Sequence, residues 1–232
     1  MERDLPGTLA AVAAMGYTHV EFAGYFQHKP SSVRRFLQEA GLSAPSSHLS
    51  PDALRQHPQA ALDDAAEAGH EYVVLAWWDR ALVDPEACGE LIELLNRIGR
   101  LAGERGLSFA YHNHDFEFAN YGDQVPYDRL LQETSAGLVE FELDVYWALT
   151  AGRDPLQLIN SQPKRFPLLH AKDRDASGAE TDIGRGQIDF TALMEHLPGD
   201  AVKYVFVERD EPADPMASAA MGLSNLRKCM GR

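Results

Sequence analysis

The chain has 232 residues, 45% hydrophobic and 24% charged, which fits one large globular domain or at most two small ones. Its formal net charge of -14 repels phosphate backbones, which argues against nucleic acid and anionic membrane as partners. No apolar run is long enough to span a bilayer, Met1 to Pro6 does not read as a signal peptide, and Cys88 and Cys229 form no metal or disulfide pattern. A reduced, cytoplasmic protein is the expectation.

In chain order, Asp4-Leu5-Pro6-Gly7-Thr8 has the marks of a helix start, an acidic or hydroxyl cap with an early Pro. Leu9, Val12 and Met15 follow at helical spacing up to Gly16. His19 to Ala23 reads as a strand with Glu21 near its end. Ser31-Ser32 is the expected cap of the next helix, which carries Val33, Phe36, Leu37 and Ala40 on one face. A short strand leads to Ser46-Ser47-His48, and a third helix runs through Ala61, Leu62, Ala65 and Ala68 to Gly69.

Tyr72 to Ala76 is the clearest buried strand and ends in Trp77-Trp78-Asp79. A long helix follows through Leu91, Ile92, Leu95, Ile98 and Leu101. The next strand begins at Leu107 and changes polarity abruptly at His112-Asn113-His114-Asp115. His112 and His114 share a face if the strand continues through them, and two imidazoles there can bind a metal or move protons. After a short helix at Leu130-Leu131, Val139 to Leu143 is a strand ending at Asp144 and followed by Tyr146-Trp147. Asp154-Pro155 opens a helix. Phe166 to Leu169 is a strand ending at His170, Lys172 and Asp173, a loop holds Gly184-Arg185-Gly186, and a helix runs from Asp189 through Leu193. Tyr204 to Val207 ends at Glu208, and Pro215 to Met230 is the closing helix.

Strands alternate with helices throughout, with no linker to split the chain, so one domain of parallel strands over residues 1–232 is expected. Polar residues close nearly every strand: Glu21, His48, Asp79, His112, Asp144, His170 and Glu208. A (β/α) barrel gathers its chemistry at that face from many strands, whereas a doubly wound sheet uses one switch point. His112, Asp144, His170 and Glu208 together offer two nitrogens and two carboxylates, a set that suits Mn, Co, Zn or Mg. Each has a plainer alternative. Asp144 fits a helix cap, His170 a structural imidazole, and Lys172 either a holder of a negative oxygen or a partner of Asp173. Trp77, Trp78 and Trp147 suit stacking on a sugar ring and core filling equally.

Gly16 to Phe22, Tyr111 to Phe118, Glu142 to Trp147, His170-Ala171-Lys172-Asp173, Gly184-Arg185-Gly186 and Val207-Glu208 resemble the xylose-isomerase-like TIM-barrel superfamily, especially its sugar phosphate isomerase/epimerase branch. The resemblance covers essentially the whole chain. It implies a divalent metal held at four strand ends, commonly by Glu, Asp, His and Glu. Asp144, His170 and Glu208 match the last three. The first position departs: His112-Asn113-His114 stands where many relatives have Glu-Asn-His, leaving His112, His114 and Glu117 as alternatives. The implied activity is metal-dependent isomerisation or epimerisation of a sugar or sugar derivative by proton abstraction beside a carbonyl. The alternative is a lyase or dehydratase acting on a keto-sugar or cyclitol. Glu208, His114 and Lys172 are the expected catalytic residues, with Glu21, His48, Trp77 and Trp147 lining the substrate pocket. Abasic-site endonucleases share the fold, but Trp147 replaces a metal-binding His of that pattern, and an inactive binding barrel is the remaining reading.

Relatives resembling this chain have a strand upstream of the first helix, and here the chain opens in that helix. The expectation is therefore a barrel lacking its first strand, with seven strands and eight helices. Its open edges would favour association with another chain, a homo-oligomer.

Overall fold

A computed structural model describes residues 4–78 and 85–231; Asp79 lies outside them. The chain divides into two compact units, one of Met1–His112 with Ala119–Glu140, the other of Asn113–Phe118 with Phe141–Arg232.

The first unit runs α1 (Leu5–Ala14), β1 (His19–Phe22), α2 (Pro30–Ala40), β2 (Ser43–Leu49), α3 (Pro51–Gln56), α4 (Pro58–Ala68), β3 (Tyr72–Leu75), α5 (Pro85–Gly103), β4 (Ser108–His112) and α6 (Pro126–Glu133). Its strands pair in parallel in the order β1-β2-β3-β4. The Asp4 carboxylate caps α1, accepting from the Gly7 N–H at 2.9 Å. The expected Ser31-Ser32 cap of α2 is not used. The helix starts at Pro30, whose fixed φ suits the first helical position, and the serines fall inside the first turn. Every residue of β3 is buried, and Leu5, Leu9, Phe22, Val33 and Leu37 form a core beside β1 and β2. Each such side chain contributes about 1.5–3 kcal/mol by leaving water.

The second unit takes up β5 (Glu140–Asp144) from Phe141. Then come α7 (Val145–Thr150), α8 (Pro155–Ser161), β6 (Leu168–Ala171), β7 (Asp173–Arg174), β8 (Glu180–Thr181), α9 (Phe190–His196), β9 (Tyr204–Val207) and α10 (Pro215–Cys229). Its parallel strands are ordered β5-β6-β9, in a register that sets Asp144 opposite His170 and His170 opposite Phe206. Phe141, Leu143, Leu168, Leu169 and Ala171 are buried along them. β7 and β8 form a small antiparallel ribbon where the sequence read as loop.

Seven parallel strands occur among the described residues, as expected. The α-helices number ten there rather than eight. The two additions, α3 and α7, have six residues each and directly follow β2 and β5. A capping side chain starts each: Ser50 Oγ accepts from the Ala53 N–H, and Asp144 from the Trp147 N–H. No described helix is long and apolar enough to cross a membrane.

Candidate functional site

Three strand ends of the second unit meet. Asp144, His170 and Glu208 each place one ligand atom within 4.8 Å of the other two. Register brings this about, because Asp144 and His170 end adjacent parallel strands opposite one another. The Glu208 N–H donates to the Ala171 carbonyl at 3.1 Å, which fixes the exit of β9 beside them. Asp144 is completely buried and serves two purposes at once. Its Oδ1 accepts from the Trp147 N–H at 2.9 Å, the capping role open from sequence. Its Oδ2 is buried with no hydrogen-bond partner among the described residues. Burial, then the charge of Glu208, raises the Asp144 pKa to about 8. A carboxylate desolvated in this way is stable as an anion only beside a cation.

The His170 ring is held on both sides. Nδ1 lies 2.9 Å from Glu208 Oε2, and Nε2 lies 3.2 Å from Glu142 Oε2. Glu142 is fully buried, a residue for which the sequence suggests no role of its own. Two nitrogen or oxygen donors would be common anywhere; two carboxylates and an imidazole converging on an unsatisfied buried oxygen fit a divalent cation.

Lys172 lies beside this group, 2% exposed in its side chain. Its ammonium is 2.6 Å from Asp210, 3.0 Å from Glu180 and 3.7 Å from Glu208. Burial alone would lower its pKa, but Glu208, Asp144 and Asp210 outweigh that and raise it, so the group stays charged. The pairing with Asp173 allowed by the sequence does not occur. Neighbouring residues point to opposite sides of an extended chain, and Asp173 turns to the glycine loop. There it accepts from the N–H groups of Gly184, Gly186, Ile188 and Arg174. The Gly-x-Gly stretch is therefore a cradle for a buried carboxylate of the chain itself.

Strand β4 stops at His112, so His114 sits in the following loop rather than on the strand face expected for it. The loop is tied down by Glu117, which folds back so that its Oε2 accepts from the His114 N–H at 2.8 Å. The His114 ring stacks on Phe116 at 5.7 Å and tilts against Trp147 at 5.4 Å. Trp147 also has the Lys172 ammonium over its ring, 5.2 Å from the centroid. Trp147 thus links the proposed acid–base imidazole, the ammonium and the Asp144 cap.

The remaining expected residues belong to the first unit. Glu21 and His48 are 2.9 Å apart, and the rings of His48 and His112 are 5.4 Å apart. Trp77 is 48% exposed. Trp78 is buried beneath the Arg55 guanidinium, 3.9 Å from its ring centroid, so it takes the core-filling role.

A sequence model of the xylose isomerase-like TIM barrel matches residues 9–229 of this chain. The chain belongs to that family. It is 26% identical over 234 residues to an inosose dehydratase of Geobacillus kaustophilus, covering 85% of this chain and 75% of that one. Two other inosose dehydratases match across about half of their own length, 54% and 46%. Among solved structures, a sugar phosphate isomerase/epimerase of Parabacteroides distasonis superposes with a TM-score of 0.83 at 25% identity, over 98% of this chain and 88% of that one. A xylose isomerase-like TIM barrel protein of Mycobacterium smegmatis in complex with magnesium has a TM-score of 0.72 at 14% identity, over 99% and 90%. The family and these relatives support a sugar-modifying TIM-barrel enzyme.

Proposed function

We propose that the protein is a divalent-metal-dependent isomerase or epimerase that moves a proton next to the carbonyl of a sugar or sugar derivative. The observation that carries this reading is the convergence of Asp144, His170 and Glu208 around a buried, partnerless Asp144 oxygen, with a charged, buried Lys172 alongside.

Asp144, His170 and Glu208 would hold the cation, Mn, Mg, Co or Zn by donor type. When bound, it supplies Lewis-acid polarisation of the substrate's oxygens. Glu208 has the exposure to meet substrate that Asp144 lacks, and in this reading it accepts the proton from the carbon next to the carbonyl. Lys172 holds the oxygen on which negative charge then develops. His114 returns the proton, to the neighbouring carbon or to the opposite face of the same carbon. Trp147 offers a ring face to the sugar. On the sequence reading His112 is a fourth ligand, and Glu21, His48 and Trp77 bind substrate hydroxyls and ring; single alanine variants test each.

The inosose dehydratase relatives favour a second reading. The same proton abstraction by Glu208 would then be followed by departure of a hydroxyl from the next carbon, protonated by His114 and released as water. Metal analysis of the purified protein followed by a keto-sugar and cyclitol screen decides. Isomerised product of unchanged mass supports the first reading, and loss of one water per turnover the second. Absence of any bound metal and of any turnover rules out both.

A further inference from the structure

Glu142 is fully buried, yet neither ligand chemistry nor helix capping has been assigned to it. It shares a strand face with Asp144, two residues on. The β5–β6 register sets Glu142 opposite Leu168 and Asp144 opposite His170. Glu142 therefore meets His170 along the diagonal, a separation that only a long side chain bridges. Its Oε2 does so, 3.2 Å from His170 Nε2. The other ring nitrogen, Nδ1, faces Glu208 at 2.9 Å, on the side of the proposed cation. An imidazole bound through one nitrogen needs its other nitrogen held, which fixes the tautomer and the ring plane.

We propose that Glu142 is a positioning residue: it holds Nε2–H of His170 so that Nδ1 is presented to the cation. This rests on the metal reading above and adds a residue to it. Reach matters more than charge in this role. A carboxylate one methylene shorter stays charged but falls short of the diagonal, whereas a Gln keeps the length and an accepting oxygen.

The test is Mn2+ titration of the full chain by calorimetry for wild type, Glu142→Gln, Glu142→Asp and Glu142→Leu, with circular dichroism as the check on folding. Co2+ absorption gives a second readout of ligand geometry. Positioning predicts Gln within roughly threefold of wild type, with Asp and Leu weaker by roughly 10–100-fold, the usual cost of losing such an outer partner. The Co2+ spectrum should change for Asp and Leu and stay for Gln. If Leu does not fold, the Gln and Asp pair still decides. Wild-type affinity in all variants, or Asp binding better than Gln, overturns the inference while leaving the metal site standing. Loss of all binding in Gln overturns it too, because Glu142 is then a ligand itself. A wild type that takes up no Mn2+ defeats the metal reading and this inference with it.

Discussion

Asn113 grips the backbone of Asp144 from both sides. Its Oδ1 accepts from the Asp144 N–H at 3.0 Å, and its Nδ2 donates to the Asp144 carbonyl at 3.3 Å. Both residues are completely buried. The amide does for Asp144 what a neighbouring strand would do, and so fixes where the carboxylate points.

Asn113→Ala should therefore cost more than a usual polar deletion. It strands a buried N–H and a buried carbonyl, each worth about 1–3 kcal/mol when left unsatisfied. Urea unfolding should show a loss of about 2–4 kcal/mol, together with weaker Mn2+ binding. A variant as stable as wild type would show that another group takes over both hydrogen bonds.

Lys172→Met tests the ammonium. A charged hydrogen bond to substrate is worth about 1.5–3 kcal/mol, so KM for a true substrate should rise roughly 10–100-fold. Metal content should stay at the wild-type level, since Lys172 is not a ligand. A variant that loses its metal would move Lys172 from substrate contact to support of the carboxylates around it.

The strand-end residues Asp144, His170 and Glu208 were legible because each closes a strand-like run, and parallel pairing carries such ends to one face. Glu142 was not. Glu140, Glu142 and Asp144 alternate with Phe141 and Leu143, which in sequence looks like a polar face turned to water. In the structure Glu142 and Asp144 are as buried as their apolar neighbours. The pattern tells which residues share a face but not which face is buried. The acids around Lys172 were equally hidden: Glu180 and Asp210 lie 8 and 38 positions away, and only folding joins them. Strand and helix order came through well. The failures, α3, α7 and the β7–β8 ribbon, are short pieces that depend on a single cap or a local loop closure.

Gly186 has a sharper requirement than most. A Cβ there would collide with the Asp173 carboxylate and the Arg174 carbonyl, both of which belong to the loop cradle. Gly186→Ala should cost about 1–3 kcal/mol, as forced overpacking does. Gly137→Ala, where an added Cβ meets nothing within 4 Å, should change stability by less than about 0.5 kcal/mol. Equal effects at the two positions would count against the cradle.

The pH response follows from Asp144. Its ordinary pKa of 3.8 is raised to about 8, by burial first and the Glu208 charge second. The folded, metal-free protein then binds a proton that the unfolded chain releases above pH 3.8. Its contribution to stability is present at low pH and is lost as pH rises towards about 8. Calorimetric Tm of the metal-free protein should fall across that window, and Asp144→Asn should flatten the fall. Mn2+ affinity should rise over the same range, because the carboxyl must ionise to bind. A metal affinity that is flat with pH would separate Asp144 from the metal.

Asp144 is the residue on which the account turns, and equilibrium dialysis against Mn2+ with elemental analysis tests it most directly. Wild type should retain one ion per chain, and Asp144→Ala, with its fold verified, should retain none. A wild type without an ion, or an alanine variant with full occupancy, would contradict the assignment.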